Sequence, residues 1–474
     1  VRQNSISLLL AAMLANVAFA QELIGPAPIT TSPQRPTASA NGYIVVFAQG
    51  TTQNVRANVI AAAGARLRHN YSGTDAAAVT VPNTNALEAL KRSTGVVRVV
   101  PDFIIHNQAK GSKGGPPPTS VTFDTRQVIS LGVQRVGPPA TGSDGAGIGI
   151  AVLDSGIDFN HPDLDPAPNT AASAFNAITP GASCQDDGGH GTHISGIIAA
   201  LNNSIAVVGV APAATLYCVK VLGSDLTGTD SALLAGLDWV LQHHASVNPP
   251  IRVMNLSLGR PLDTNETLDN SVFRPEIRSL YNLGIVVVAS AGNDPTAEIT
   301  QFVPAGFPEV LAVASTVAAN GIRTCLLGGI VDIPPIPADA ASVFTTDGAT
   351  VTISAPGEEW TDIVDLGFGC DGLQYGTLST SLGTGGATRK LVPSLLEARG
   401  TSFSAPLVTG AVARVMQKLL APLDSGSTTV EGVRNWLKTN ASRVGVAPVD
   451  NPLGGTIYPY SFDGVREGIA QAPQ

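Results

Sequence analysis

The sequence predicts a three-layer α/β domain on a mostly parallel sheet, preceded by a small α+β unit of ferredoxin-like size. Three observations predict it. From Ile148 onward, apolar runs alternate with helix-compatible stretches, as in a parallel sheet covered on both faces. Hydrophobic residues make up 44% of the chain and charged residues only 13%, the composition of a folded globule and not a disordered one. Before residue 110, a shorter block interleaves strand and helix signals.

The first twenty residues have the pattern of a secretory signal. Arg2 is a basic start, Ile6 to Leu14 is an apolar run too short to span a bilayer, and Ala18-Phe-Ala20 is a small-residue cleavage signal. Export to the outside or to a periplasm is therefore expected, with disulfides permitted. Residues 21–42, rich in Pro, Thr and Ser, are expected to be a linker. Residues 43–108 form the small unit. Its expected strands are Tyr43–Phe47, Ala65–Tyr71, Ala76–Val81 and Val96–Val100, and its expected helices Gln53–Ala63 and Asn85–Arg92. A second linker, 109–126, carries Lys110-Gly-Ser-Lys-Gly-Gly-Pro-Pro-Pro118 and is open to proteolysis.

The large domain spans 127–474. Its expected strands are Ile148–Leu153, Leu216–Leu222, Val253–Ser257, Ile285–Ser290 and Val310–Ala314. Helices are expected over Gly191–Leu201, Asp230–His243 and Phe403–Leu420. In such sheets ligands bind at the carboxyl ends of the strands, where Asp154 stands and which Asn293 follows. The formal charge of −9 gives no footprint for nucleic acid, and no later stretch suits a bilayer, so neither nucleic acid nor stable membrane association is expected. The four cysteines allow three pairings, of which Cys184–Cys218 with Cys325–Cys370 is favoured; four buried thiols is the alternative.

Three motifs carry chemistry, in the order Ala151-Val-Leu-Asp-Ser-Gly156, Gly189-His-Gly-Thr-His193 and Gly400-Thr-Ser-Phe-Ser-Ala-Pro406. An imidazole acts as general base on a hydroxyl when a third group orients it, and Asp154, His190 and Ser402 supply the three types. Each has a plainer reading: Asp154 as a turn residue, Ser402 as a helix cap, His190 with His193 as a metal pair. His161, His243 and His244 suit surface or turn positions. G-x-S-x-G is absent around Ser402, because Ser404 replaces the last Gly.

At these motifs the chain resembles the subtilisin-like serine proteases. Gly209-Val-Ala-Pro212, Val219-Lys-Val-Leu222, Asn255-Leu-Ser-Leu-Gly259, Ala291-Gly-Asn293 and Ala355-Pro-Gly357 extend the resemblance. It implies a secreted endopeptidase made as a zymogen, acting on protein and peptide substrates as a monomer. The 43–106 region is similar to an inhibitory propeptide, whose end, Asp102 to Gln108, would lie in the cleft. Ser402 would be the nucleophile, His190 the base, Asp154 its orienting carboxylate and Asn293 an oxyanion donor. Peptides would add as a strand along Ser257, Leu258 and Gly259, with the Leu222–Gly228 region as the other edge. Ala291 and Gly292 would line an apolar pocket of broad specificity, with Glu298 on the adjoining loop leaving a basic preference open. A Ca²⁺ ion is implied, bound by Asp163, Asn203, Gln127 and the carbonyls of Leu201, Ile205 and Val207. Phe403 and Ser404 depart from the family's usual Met and Ala. Two insertions, near 319–340 and 358–398, also depart from it. The second keeps self-processing alone as an alternative, and peptide binding without turnover is the rival from another class.

Overall fold

The computed structural model describes residues 35–107, 127–318, 321–326, 330–342, 344–358, 379–380, 387–388, 400–419, 426–442 and 467–474. The expected signal segment, most of the 358–398 insertion and Cys370 lie outside them.

The N-terminal unit comprises β1 (Ala38–Phe47), α1 (Gln53–Ala62), β2 (Arg66–Asn70), β3 (Ala76–Thr80), α2 (Thr84–Arg92) and β4 (Val96–Asn107). The helix starts follow from side-chain caps: Thr52 accepts from the Val55 N–H and Asn83 from the Ala86 N–H. Strand alternation gives the sheet two buried faces. Val45 and Phe47 of β1 point to α1 and α2, packing with Ile60 and Leu90. Ile44 points the other way and joins the core of the large domain. Two strands differ from expectation. The first begins at Ala38, inside the expected linker, and the last runs seven residues past Val100 to Asn107. That extension is stabilised by tertiary partners, described below, which no local pattern encodes.

In the large domain, α3 (Leu131–Val136) precedes β5 (Gly149–Asp154), β6 (Ala174–Asn176) and α4 (His190–Ala199). There follow β7 (Thr215–Lys220), β8 (Thr227–Thr229), α5 (Asp230–His243), β9 (Ile251–Leu256), β10 (Leu258–Pro261), α6 (Arg274–Asn282) and β11 (Val286–Ser290). Then come β12 (Phe302–Val303), β13 (Leu311–Val317), the antiparallel pair β14 (Gly321–Leu326) and β15 (Ile330–Ile336), and β16 (Val351–Glu358). The two-residue strands β17 (Ser379–Thr380) and β18 (Ala387–Thr388) pair with each other, before α7 (Thr401–Leu419) and α8 (Ser427–Asn440).

The central sheet has seven strands in the order β16-β13-β11-β9-β5-β7-β6, every pair parallel. Buried on both faces, its strands are the near-continuous apolar runs of the sequence. Ile150 and Val152 face one layer, with Ile194 and Ile198 of α4 and Val408 and Val412 of α7. Ala151 and Leu153 face the other, with Leu233 and Leu237 of α5 and Ile277 of α6. These are the three expected layers. Strand β5 lies between β7, on the side that ends at β6, and β9, on the side that continues to β11, β13 and β16. The chain thus reverses direction across the sheet at β5, and the crevice at its carboxyl end is where such folds place ligands.

The second sheet is antiparallel and shared by both parts of the chain: β12-β10-β4-β1-β3-β2, with β8 also paired to β4. Among the described residues, no helix is long and apolar enough to cross a membrane.

Candidate active site

Asp154 ends β5, and its carboxylate is fully buried. The Ser155 N–H donates to Oδ1 at 2.7 Å, and His190 Nδ1 lies 2.8 and 2.9 Å from the two oxygens. His190 is the first residue of α4. That helix can approach the Asp154 loop only because its second residue has no side chain: a Cβ on Gly191 would stand 2.1 Å from the Gly156 carbonyl oxygen. Asp186 fixes the turn before α4. Its Oδ1 accepts from the N–H groups of Gly188 and Gly189, and its Oδ2 accepts from Thr192 N–H and Oγ1–H. The Cys184–Cys218 disulfide ties this loop to β7, as favoured from the sequence.

Ser402 occupies the first turn of α7, where unpaired N–H groups and the helix dipole favour developing negative charge. Four residues on, Pro406 has no N–H to donate to the Ser402 carbonyl. That oxygen accepts from Ser257 Oγ at 2.8 Å instead, within a buried chain through Asn255 to Thr409. Ser402 Oγ and His190 Nε2 are both buried and without a hydrogen-bond partner. Phe403 brings the two motifs together, its ring 5.8 Å from that of His190 and 4.9 Å from that of His193.

Asn293 lies beyond the end of β11. Its Oδ1 accepts from the Thr401 N–H at 3.0 Å and from Thr401 Oγ1 at 3.1 Å, while the Gly292 N–H donates to that hydroxyl at 3.2 Å. The amide's oxygen end is thereby anchored to the start of α7. Ala291 and Gly292 are buried beside it. Thr401 was not singled out from the sequence; its place directly before the nucleophile candidate was the available signal.

Strand β4 fills the cleft. On one side Asn107 and His106 pair antiparallel with Leu258 and Gly259 of β10. On the other, Ile104, Ile105 and His106 pair with Thr229, Gly228 and Thr227 of β8, and the Asn107 N–H donates to the Leu226 carbonyl. Gly228 admits this close pairing, since a Cβ there would stand 3.3 Å from Ile105 and 2.1 Å from the Val221 carbonyl oxygen. Leu258 and Gly259 thus stand on the expected edge. The Ser257 side chain turns inward to brace α7. Gln108 lies outside the described residues.

The six residues singled out for calcium converge. The carbonyl oxygens of Leu201, Ile205 and Val207 lie 2.7, 3.2 and 3.0 Å from one point, the Gln127 amide nitrogen, with Asn203 Oδ1 3.5 Å away. Left-handed backbone at Ser204 and Ala206 shapes the loop. Asp163 Oδ2 accepts from the Val207 N–H, and its Oδ1 is buried without a partner. Burial raises this carboxyl to about 7. The Gln127 amide presents its nitrogen here, where the resemblance implied its oxygen. His161, expected at a surface or turn position, is buried in a turn, its Nδ1 accepting from the Asp163 N–H.

A carboxylate-held imidazole and a helix-start serine, at the switch point of a parallel sheet with a peptide strand in the cleft, define the class as serine endopeptidase. The family follows from comparison with known proteins: residues 145–455 match the subtilase family (peptidase S8), and the chain belongs to it. It is 30% identical over 411 residues to subtilisin E of Bacillus subtilis (strain 168), covering 85% of this chain and 86% of that protein. It is 35% identical over 323 residues to subtilisin BL of Lederbergia lenta, covering 67% of this chain and 93% of that protein. Among solved structures, fervidolysin from Fervidobacterium pennivorans, a keratinolytic enzyme related to subtilisin, shares the fold at a TM-score of 0.61 and 18% identity. The match covers 93% of this chain, which spans 63% of that structure's length.

Proposed function

We propose that this chain is the zymogen of a secreted, monomeric endopeptidase of broad specificity that hydrolyses peptide bonds through an acyl-enzyme. The observation that carries the reading is β4, a peptide strand hydrogen-bonded on both sides of the cleft, as a substrate would be. Ser402 Oγ attacks the scissile carbonyl while His190 Nε2 takes its proton, and Asp154 holds the imidazole through Nδ1–H. The oxyanion is met by the Ser402 N–H and the Asn293 amide. The C–N bond then breaks, His190 gives the proton to the leaving amine, and water hydrolyses the ester by the same steps. Ala291 and Gly292 form one wall of an apolar pocket for the residue before the scissile bond.

The 43–108 unit is then an intramolecular inhibitor, held as a product-like strand after cleavage near Gln108. Incubating wild type and Ser402→Ala with casein and a fluorophosphonate probe tests this. The expected result is labelling and casein cleavage by wild type alone, with Ser402→Ala remaining one unprocessed chain. Self-processing without casein cleavage would overturn the broad-peptidase reading, and folded wild type that does neither would overturn both.

A structural Ca²⁺ belongs to the same proposal. Among the described residues, no group of three His, Cys, Asp or Glu could hold a metal. The ring here offers carbonyl and amide oxygens with one carboxylate, the hard donor set calcium takes. Asp163, Asn203, Leu201, Ile205 and Val207 would hold it, with Gln127 after its amide turns its oxygen inward. Chelator should lower the melting temperature and added calcium restore it; an unchanged melt would remove the ion from the proposal.

A further inference from the structure

Arg260, on β10 just past the strand's pairing with β4, is 2% exposed. Its guanidinium is clamped in one plane. Nε and Nη2 donate to the two Asp230 oxygens at 2.7 Å each, and Nη1 and Nη2 to Glu266 at 2.6 and 3.1 Å. With its edges engaged by carboxylates, its faces are left for rings. It lies 5.7 Å from the ring of Phe273, in the same domain, and 4.9 Å from the ring of Phe103, which belongs to β4. Phe103 and Ile105 share the buried side of that strand, while His106 is exposed.

We propose that Arg260 is a specificity-determining residue that selects an aromatic side chain at the substrate position Phe103 now occupies, four residues before Asn107. The inference rests on the peptidase reading, in which substrate replaces β4 in the same register. A fixed guanidinium attracts the negative face of an arene, and the attraction is larger where water is excluded. An aliphatic side chain of equal bulk gains the burial but not this term. The propeptide meets the requirement with Phe103 and so holds its own place through the contact a good substrate would make.

The test uses the matured wild-type enzyme and internally quenched peptides with the sequence of residues 102–111. The Phe103 position carries Phe, pentafluorophenylalanine, cyclohexylalanine, Leu or Ala, and mass spectrometry checks that the cut bond stays the same. Replacing Phe by cyclohexylalanine should lower kcat/KM about fivefold, chiefly through KM, and pentafluorophenylalanine, whose ring quadrupole is reversed, should do no better. In the triple variant Asp230→Asn/Arg260→Met/Glu266→Gln, which removes all three charges of the cluster together, Phe and cyclohexylalanine should become equivalent. Equal cleavage of the Phe and cyclohexylalanine peptides by a wild type that digests casein overturns this inference and leaves the peptidase reading standing. A protein that cleaves neither casein nor any peptide refutes the peptidase reading and this inference with it.

Discussion

Thr401→Val tests whether Asn293, the proposed oxyanion donor, is positioned by the residue before Ser402, the proposed nucleophile. Valine keeps the shape and the backbone N–H that reaches Asn293 Oδ1 at 3.0 Å. It removes the hydroxyl that donates to the same oxygen at 3.1 Å and accepts from the Gly292 N–H at 3.2 Å. A buried neutral hydrogen bond is worth about 1 kcal/mol net, so two lost bonds set an expected cost of about 1–2 kcal/mol. The ceiling is the loss of the donor itself, about 2.7–4 kcal/mol, a range known from a subtilisin. The expected outcome is a fall in kcat of about 5- to 30-fold with KM nearly unchanged, read with a chromogenic peptide. Asn293→Ala/Thr401→Val should lose no more than Asn293→Ala alone, because Thr401 acts through Asn293. A Thr401→Val enzyme within twofold of wild type, or a double variant whose losses add, would refute the reasoning.

Other predictions concern stability and chemistry. The Glu276 carboxyl is buried beside Gly73 of the N-terminal unit with neither oxygen partnered; burial first, then Asp238, pushes its pKa well above the ordinary 4.5. From about pH 4.5 upward the unfolded chain releases that proton while the folded chain keeps it, so stability falls as pH rises through this window. Glu276→Gln should therefore melt higher than wild type near pH 8 and equally near pH 4; parallel melting curves at all pH values would contradict the assignment. Removing the disulfide, by Cys184→Ala with Cys218→Ala, frees a 34-residue loop that carries His190. It should cost about 2–4 kcal/mol in denaturant unfolding, and an unshifted midpoint would count against it. Dilute peroxide should leave activity intact, because Phe403 cannot form a sulfoxide and Met254 and Met416 are fully buried. Phe403→Met should introduce sensitivity, and rapid inactivation of wild type would sink the idea.

Much of the fold is legible locally. Helix α5 begins and ends where its composition says, since Thr229 caps it and apolar residues mark its buried face. Strand β4 is the counterexample: Val96–Val100 reads as a strand, but Pro101 and Phe103 extend it by pairing with β1, and Ile104 to Asn107 by pairing with β8 and β10. The site divides similarly. Asp154, His190 and Ser402 are legible because each sits in a motif that dictates its turn. Thr401 and Arg260 are less so, because their work is a contact with a residue far away in the chain.

By itself, the sequence determined the layered architecture, the order of the reactive groups and the presence of a separate N-terminal unit. Periodicity and short motifs are local, and burial of apolar runs follows from them. Only the tertiary structure decided that the segment expected in the cleft is the continuation of β4, paired with β8 and β10, that the Ser257 side chain braces α7, and that Arg260 lies against Phe103. These are pairings between segments more than a hundred residues apart. Their geometry arises from closing two sheets over one core, and no stretch of the chain contains both partners.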